Sequence, residues 1–121
     1  MARILIIDDN TEVLGTYSRI LEHAGYEVVV ATDGKKGIRI FREEPPDLVI
    51  TDIIMPEKEG LETIMELRRD YPDVKIIAIS GGGKVEPEDY LGIAKKLGAV
   101  CTLTKPIERE DLLKAVQECL T

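Results

Sequence analysis

The sequence predicts an α/β fold of the doubly wound kind, with five parallel strands alternating with five helices in a three-layer (βα)5 sandwich. Three observations predict it. Short β-branched runs recur at fairly even intervals, the stretches between them carry helical spacing, and Gly and Pro stand at the junctions. A chain of 121 residues, 44% of them hydrophobic, supplies a single core, so residues 1–121 are expected to form one domain.

The first strand is Arg3 to Ile7, an apolar run stopped by Asp8-Asp9-Asn10. Val13, Tyr17, Ile20, Leu21 and Ala24 then recur at the interval that lines one face of a helix, and Gly25 ends it. Glu27 to Ala31 is the second strand; Asp33-Gly34 opens a second helix carrying Ile38, Ile40 and Phe41, and Pro45-Pro46 closes it. The third strand, Asp47 to Thr51, runs into Asp52, and Leu61, Ile64, Met65 and Leu67 mark a third helix ended by Pro72. Lys75 to Ile79 is the fourth strand, while Tyr90, Leu91, Ile93, Ala94 and Leu97 mark the fourth helix, stopped by Gly98. Ala99 to Leu103 is the last strand, and Leu112, Leu113, Val116 and Leu120 the face of the last helix. No strand alternates strictly, so each is expected to be covered on both faces, the habit of parallel sheets joined by right-handed crossovers.

Charge and composition exclude several classes. Sixteen Lys and Arg against twenty-three Asp and Glu give a net charge of −7, which repels nucleic acid backbones and anionic membrane surfaces. No uninterrupted apolar run exceeds four residues, where a bilayer span needs roughly 20. Met1-Ala2-Arg3 leads directly into a strand without a signal peptide's apolar region, so the expected location is cytoplasmic. Cys101 and Cys119 lack metal-ligand spacing and are expected to be ordinary reduced thiols.

In doubly wound sheets, functional groups gather at the carboxyl ends of the strands. Those ends carry Asp8-Asp9, Asp52, Ser80 followed by Gly81-Gly82-Gly83, and Lys105-Pro106. If the first and third strands are neighbours, three carboxylates converge, and at about 5 Å and an effective dielectric near 20 each pair repels by roughly 3 kcal/mol. A hard divalent cation with oxygen ligands, Mg²⁺ foremost, suits such a cluster with no His or Cys beside it, and Lys105 adds a further positive charge. The competing role for Asp8, Asp9 and Asn10 is helix capping, but one cap needs one residue. Ser80 before glycines is on its own a turn residue.

Asp8-Asp9, Asp52 followed by Met55-Pro56 and Gly60, Ser80, and Lys105-Pro106 followed by Leu112 are together the motifs by which the whole chain resembles the receiver domains of two-component response regulators. The resemblance implies a flavodoxin-like strand order of 2-1-3-4-5. It implies that Asp52 takes a phosphoryl group from the phosphohistidine of a sensor histidine kinase or histidine phosphotransfer protein. Mg²⁺ is then held by Asp8, Asp9, the Asp52 carboxylate and the backbone carbonyl of Ile54, Lys105 and Ser80 meet phosphoryl oxygens, and the Lys105-Pro106 bond is cis. A simple proline start to the last helix remains open for that pair. The family's switch acts on the surface of the fourth helix, fifth strand and fifth helix, read by a downstream output protein or domain; a phosphorylation-dependent homodimer is left open. On this basis the chain is a signalling phosphoprotein that assists its own phosphorylation and dephosphorylation, not an enzyme with external substrates.

The sequence also departs from the family. Thr102 stands where many receivers have an aromatic toggle, so coupling from Ser80 is expected to run through the backbone of Gly81-Gly82-Gly83. Ile54 and Gly82 replace side chains that are often polar, which implies slow self-dephosphorylation because neither can orient water. Glu59 and Ile107 look conservative, His23 reads as a helix C-terminal group, and Lys35, Lys36, Arg39 and Arg42 as a solvated face.

Two rival classes fit worse. A haloacid-dehalogenase-type phosphatase wants a second Asp two residues beyond its nucleophile, and neither Asp8 nor Asp52 has one. In a flavodoxin-like FMN module, Asp8-Asp9 would repel the ligand's phosphate. Gly81-Gly82-Gly83-Lys84 is no nucleotide loop either, since Ala78 stands at its first glycine and Val85 follows the lysine.

Overall fold

A computed structural model describes residues 2–53, 60–80, 92 and 94–121. In chain order the elements are β1 (Arg3–Ile7), α1 (Thr11–His23), β2 (Glu27–Ala31), α2 (Gly34–Glu43), β3 (Leu48–Asp52), α3 (Gly60–Asp70) and β4 (Ile76–Ser80). Residues 92 and 94–97 are the described helical residues of α4, and β5 (Cys101–Thr104) and α5 (Arg109–Leu120) complete the chain. All strand pairs are parallel and the sheet order is β2-β1-β3-β4-β5, the order the resemblance implies.

The pleat of the central strands sends alternate residues into two core layers. Leu5, Ile7, Val49, Ile76 and Ala78 meet Ile38 and Phe41 of α2, Ile64 and Leu67 of α3 and Ala94 of α4. Ile4, Ile6, Leu48, Ile50, Ile77 and Ile79 face Leu14, Tyr17 and Leu21 of α1 and Leu112 and Val116 of α5. The sandwich therefore has α2, α3 and α4 on one face and α1 and α5 on the other. Among the described residues, no helix is long and apolar enough to cross a membrane. Cys101 and Cys119 are half-buried free thiols packed against the second layer.

Local chemistry accounts for the boundaries. The Asn10 side chain accepts from the backbone N–H groups of Glu12 and Val13 at the start of α1, and Asp33 accepts from that of Lys36 at the start of α2. After α1 the chain leaves through Gly25 at φ +98°, whose N–H donates to Glu22 O while that of Tyr26 donates to Leu21 O. This is the left-handed exit that glycine adopts without a Cβ clash.

Three expectations need correction. The last three strands each lie one or two residues further along the chain than predicted, with Asp52, Ser80 and Thr104 inside them, because the ladder keeps pairing until the polar ends of the strands. Full burial on both faces holds for β3, β4 and, from Ile4 on, β1, but not for β2 and β5, which lie at the sheet edges with one side unpaired and half exposed. Met65 is 53% exposed on α3 and not part of the core, and Ala24 is the exposed C-cap of α1. Of the fourth helix's face, Ala94 is fully buried and Leu97 partly so, while Tyr90, Leu91 and Ile93 lie outside the described residues.

Candidate functional site

The register of the central strands brings the acidic residues together. Ile7 pairs with Thr51, so Asp8 and Asp52 follow side by side at the carboxyl edge. Asp8 remains tied to the sheet through its N–H to Ala31 O at 3.1 Å, and Ile53 N–H to Ile79 O at 2.9 Å fixes the chain just after Asp52. Both carboxylates are sunk in the edge, Asp8 at 2% and Asp52 at 5% exposure, whereas Asp9 is exposed. One oxygen from each of Asp8, Asp9 and Asp52 lies within 4.8 Å of the others. The helix cap belongs to Asn10, which frees Asp8 and Asp9 from that role; Asp8 itself accepts from Asn10 N–H at 2.9 Å.

Lys105 enters from the neighbouring side. Its backbone N–H donates to Ser80 O at 2.9 Å, and its Nζ donates to Asp8 Oδ2 at 2.6 Å and to Asp52 Oδ2 at 3.1 Å. Burial alone would lower the pKa of this ammonium. The hydrogen bond and charge of Asp8, with those of Asp52, outweigh burial and hold it above the ordinary lysine value. The lysine is thus a permanent cation for a cluster carrying more negative charge than it can neutralise. Ser80, fully buried at the end of β4, has a hydroxyl with no hydrogen-bond partner among the described residues. An unpaired buried hydroxyl is costly unless a further acceptor arrives.

The Lys105-Pro106 peptide bond is cis, as the resemblance implies, and α5 starts only at Arg109, so Pro106 is not its first helical residue. Thr102 lies half-buried on β5, paired with Ala78. Ile54, Met55-Pro56, Glu59 and Gly81-Gly82-Gly83 lie outside the described residues. His23 closes α1 on the surface.

Two residues gain a relation to the site that sequence reading missed. Gly60, quoted only as part of a motif, sits where any Cβ would run into the Asp52 carbonyl oxygen and Ile53 Cα, so α3 starts hard against the backbone of Asp52. Tyr17, assigned only to a helix face, is buried with its phenol in electrostatic reach of Lys105, Asp8 and Asp52. A polar tip nine residues beyond Asp8, on a face otherwise apolar, was the available signal.

The donors suit a hard cation: three carboxylates on oxygen ligands alone, two of them buried, with no His or Cys among them. Comparison with known proteins gives the family of the chain. A family model described as response regulator receiver domain matches residues 4–117. Protein PilH of Pseudomonas aeruginosa is 36% identical over 120 residues, covering 99% of this chain and 98% of PilH. The transcriptional regulatory protein GlrR of Escherichia coli is 31% identical, but the chain spans only 26% of its length. Among solved structures, a response regulator receiver domain protein from Clostridium thermocellum superposes with a TM-score of 0.91 at 34% identity, covering 99% of this chain and 94% of that one. The chemotaxis protein CheY4 of Vibrio cholerae gives 0.89 at 32% identity, with 99% of each chain covered. None of these likenesses supports the phosphatase or the FMN module; with both the family model and a full-length relative matching across the sheet that carries these carboxylates, the chain belongs to the response regulator receiver domain family.

Proposed function

We propose that residues 1–121 form one phosphoacceptor unit in which Asp52 is the residue modified. A carboxylate oxygen of Asp52 attacks the phosphorus of a phosphohistidine in line. The P–N bond breaks as the O–P bond forms, its electron pair stays on the imidazole, and the product is a mixed anhydride on Asp52. The observation that carries this reading is the meeting of three carboxylates, one lysine bonded to two of them, and one buried serine hydroxyl left over.

Asp8, Asp9 and Asp52 are the residues that would hold Mg²⁺, with the Ile54 carbonyl added by family resemblance. A divalent ion bound there supplies charge neutralisation for the carboxylates and the incoming phosphoryl oxygens. Lys105 turns from its carboxylate partners to a phosphoryl oxygen as a compact point charge, and the Ser80 hydroxyl gains the acceptor it lacks. Closure of Ser80, with Thr102 and the Lys105-Pro106 turn beside it, carries the change to the surface of α4, β5 and α5. The donor is a histidine kinase or histidine phosphotransfer protein in the cytoplasm, and the reader is an output protein or domain.

The test is incubation of the full chain with acetyl phosphate and Mg²⁺, followed by intact mass. One phosphoryl adduct per chain is expected for the wild type and none for Asp52→Asn. An adduct that persists in Asp52→Asn, or its absence from the wild type, overturns the assignment.

A further inference from the structure

Arg68 lies in the last turn of α3 and is half-buried against the turn that leads from α4 into β5. Arg42 of α2 and Arg69 beside it pair with the carboxylates of Glu66 and Asp70. Arg68 instead gives its Nη1 to two backbone carbonyls of the loop before β4, Pro72 O at 2.6 Å and Val74 O at 3.3 Å. On the way its side chain crosses Gly98 so closely that a Cβ on that residue would stand 2.5 Å from Nε and 2.9 Å from Cδ. Gly98 sits at φ +117°, with its N–H on Lys95 O and the Ala99 N–H on Ala94 O, which is how a glycine closes a helix. The Val100 N–H then donates to Ile76 O at 2.8 Å and leads the chain into β5.

One guanidinium therefore joins the end of α3, the loop before β4 and the turn between α4 and β5, all at the amino edge of the sheet. A charged donor on a backbone carbonyl makes a stronger bond than a neutral one, and a stem packed on a residue without a side chain leaves that turn little room to shift. The other end of β5 is where the Lys105 N–H meets Ser80 O, roughly 16 Å of extended strand from Val100. We propose that Arg68 is a latch: it holds the end of α4 and the start of β5 still, so that a change at Ser80 and Lys105 pivots the surface of α4, β5 and α5 about its amino-edge end and does not displace it as a whole. Arg68 has no part in the chemistry, since it stands at the opposite edge from the carboxylates. The role rests on the phosphoacceptor reading above, because a pivot matters only if the carboxyl edge changes state.

Arg68→Met keeps an aliphatic stem to cover Gly98 and removes the guanidinium. Residue-resolved hydrogen exchange of the full chain reads the N–H groups of Gly98, Ala99 and Val100, each of which makes a backbone bond at this turn. In the wild type their exchange is expected to change by less than about twofold when acetyl phosphate and Mg²⁺ modify the protein, while that of the Lys105 N–H changes by about fivefold or more. In unmodified Arg68→Met the three groups are expected to exchange about fivefold faster than in the wild type, the factor that the net loss of one hydrogen bond gives. In modified Arg68→Met they are expected to respond as the Lys105 N–H does. The amides of Ile4 to Ile7 in β1 serve as the control, and an equal acceleration there shows a general loss of stability and overturns the latch. Wild-type groups at the turn that respond to modification as strongly as Lys105 overturn it too. If intact mass shows no phosphoryl adduct on the wild type, the phosphoacceptor reading fails first and the pivot goes with it. A wild type that is modified normally beside an Arg68→Met turn that exchanges no faster sinks the latch alone.

Discussion

One cation faces three carboxylates at each end of the sheet, yet only one end buries the pairs it makes. At the amino edge, Arg3 reaches Glu27 at 2.8 Å and Glu44 at 2.6 Å, and its backbone N–H donates to Asp47 at 2.7 Å. At the carboxyl edge, Lys105 reaches Asp8 at 2.6 Å and Asp52 at 3.1 Å, with Asp9 nearby. The count of charges is the same. Water is what differs: the side chains of Glu27 and Glu44 are 52% and 69% exposed, those of Asp8 and Asp52 3% and 6%. Solvent screens the surplus negative charge around Arg3, whose guanidinium also spreads its bonds over a fork. Around Lys105 the surplus is confined in a poorly screened pocket with a single point charge to meet it. Charge pattern alone does not mark a site; a charge imbalance that solvent cannot reach does, because only there does a second cation have unscreened work left to do.

Removing each cation in turn is the strongest way to break that comparison. Lys105→Ala leaves two buried carboxylates without the ammonium between them and is expected to destabilise the protein by about 3 kcal/mol in urea unfolding without divalent ions. Millimolar Mg²⁺ is expected to restore more stability to this variant than it adds to the wild type. A loss below about 1 kcal/mol would mean that water reaches the carboxyl edge as freely as the amino edge. The pH dependence has a definite sign. Since Lys105 is held above the ordinary lysine value of 10.5 by its carboxylates despite burial, its contribution is fully present below that pH and is lost as pH rises through the higher folded value.

A substitution of the opposite sign sharpens the point. At an effective dielectric near 20, Asp8 and Asp9 together repel the Asp52 carboxylate by about 7 kcal/mol, and the ammonium recovers about 5. Asp52→Asn is therefore expected to raise the stability of the metal-free protein by about 1 to 2 kcal/mol while abolishing phosphorylation. Urea unfolding at low ionic strength reads it, and added salt or Mg²⁺ should shrink the gain. A destabilised Asp52→Asn would show that Asp52 is held for structure and not against its own repulsion.

Much of this was legible before the fold was seen, for reasons that differ by residue. Asp8 and Ser80 follow an apolar run directly and Asp52 and Lys105 one threonine later, and a strand that ends on a polar side chain delivers that side chain to the sheet edge. Periodicity placed Tyr17, Leu21, Ile38, Phe41, Ile64 and Leu112 on inward faces because helix geometry leaves little choice, though it passed over the buried Leu14. What composition could not give was which strands lie at the sheet edges: Val28 to Ala31 is as apolar as Ile76 to Ile79, yet β2 is half open and β4 fully covered. Strand order decides that, and order is a property of the whole chain. Met65 was misplaced for a related reason, since an apolar residue one position off the inward stripe looks the same in sequence. Tyr17 was read only as core because a phenol's ring and its hydroxyl obey different rules.

The smallest expected effect is at the amino edge. Arg3→Gln removes a guanidinium whose pKa is raised by its hydrogen bonds to Glu44 and Glu27, which by itself suggests a strong interaction. Both partners are open to water, however, and each carboxylate regains its hydration when the arginine is gone. The Asp47 bond is to the backbone N–H of residue 3 and survives the substitution. The melting temperature is therefore expected to move little, with the same small change at low and high salt, and the rate of phosphorylation from acetyl phosphate not at all. A fall in stability comparable to that of Lys105→Ala would show that the two edges share one electrostatic regime, and burial would no longer be the quantity that separates a structural clasp from a reactive one.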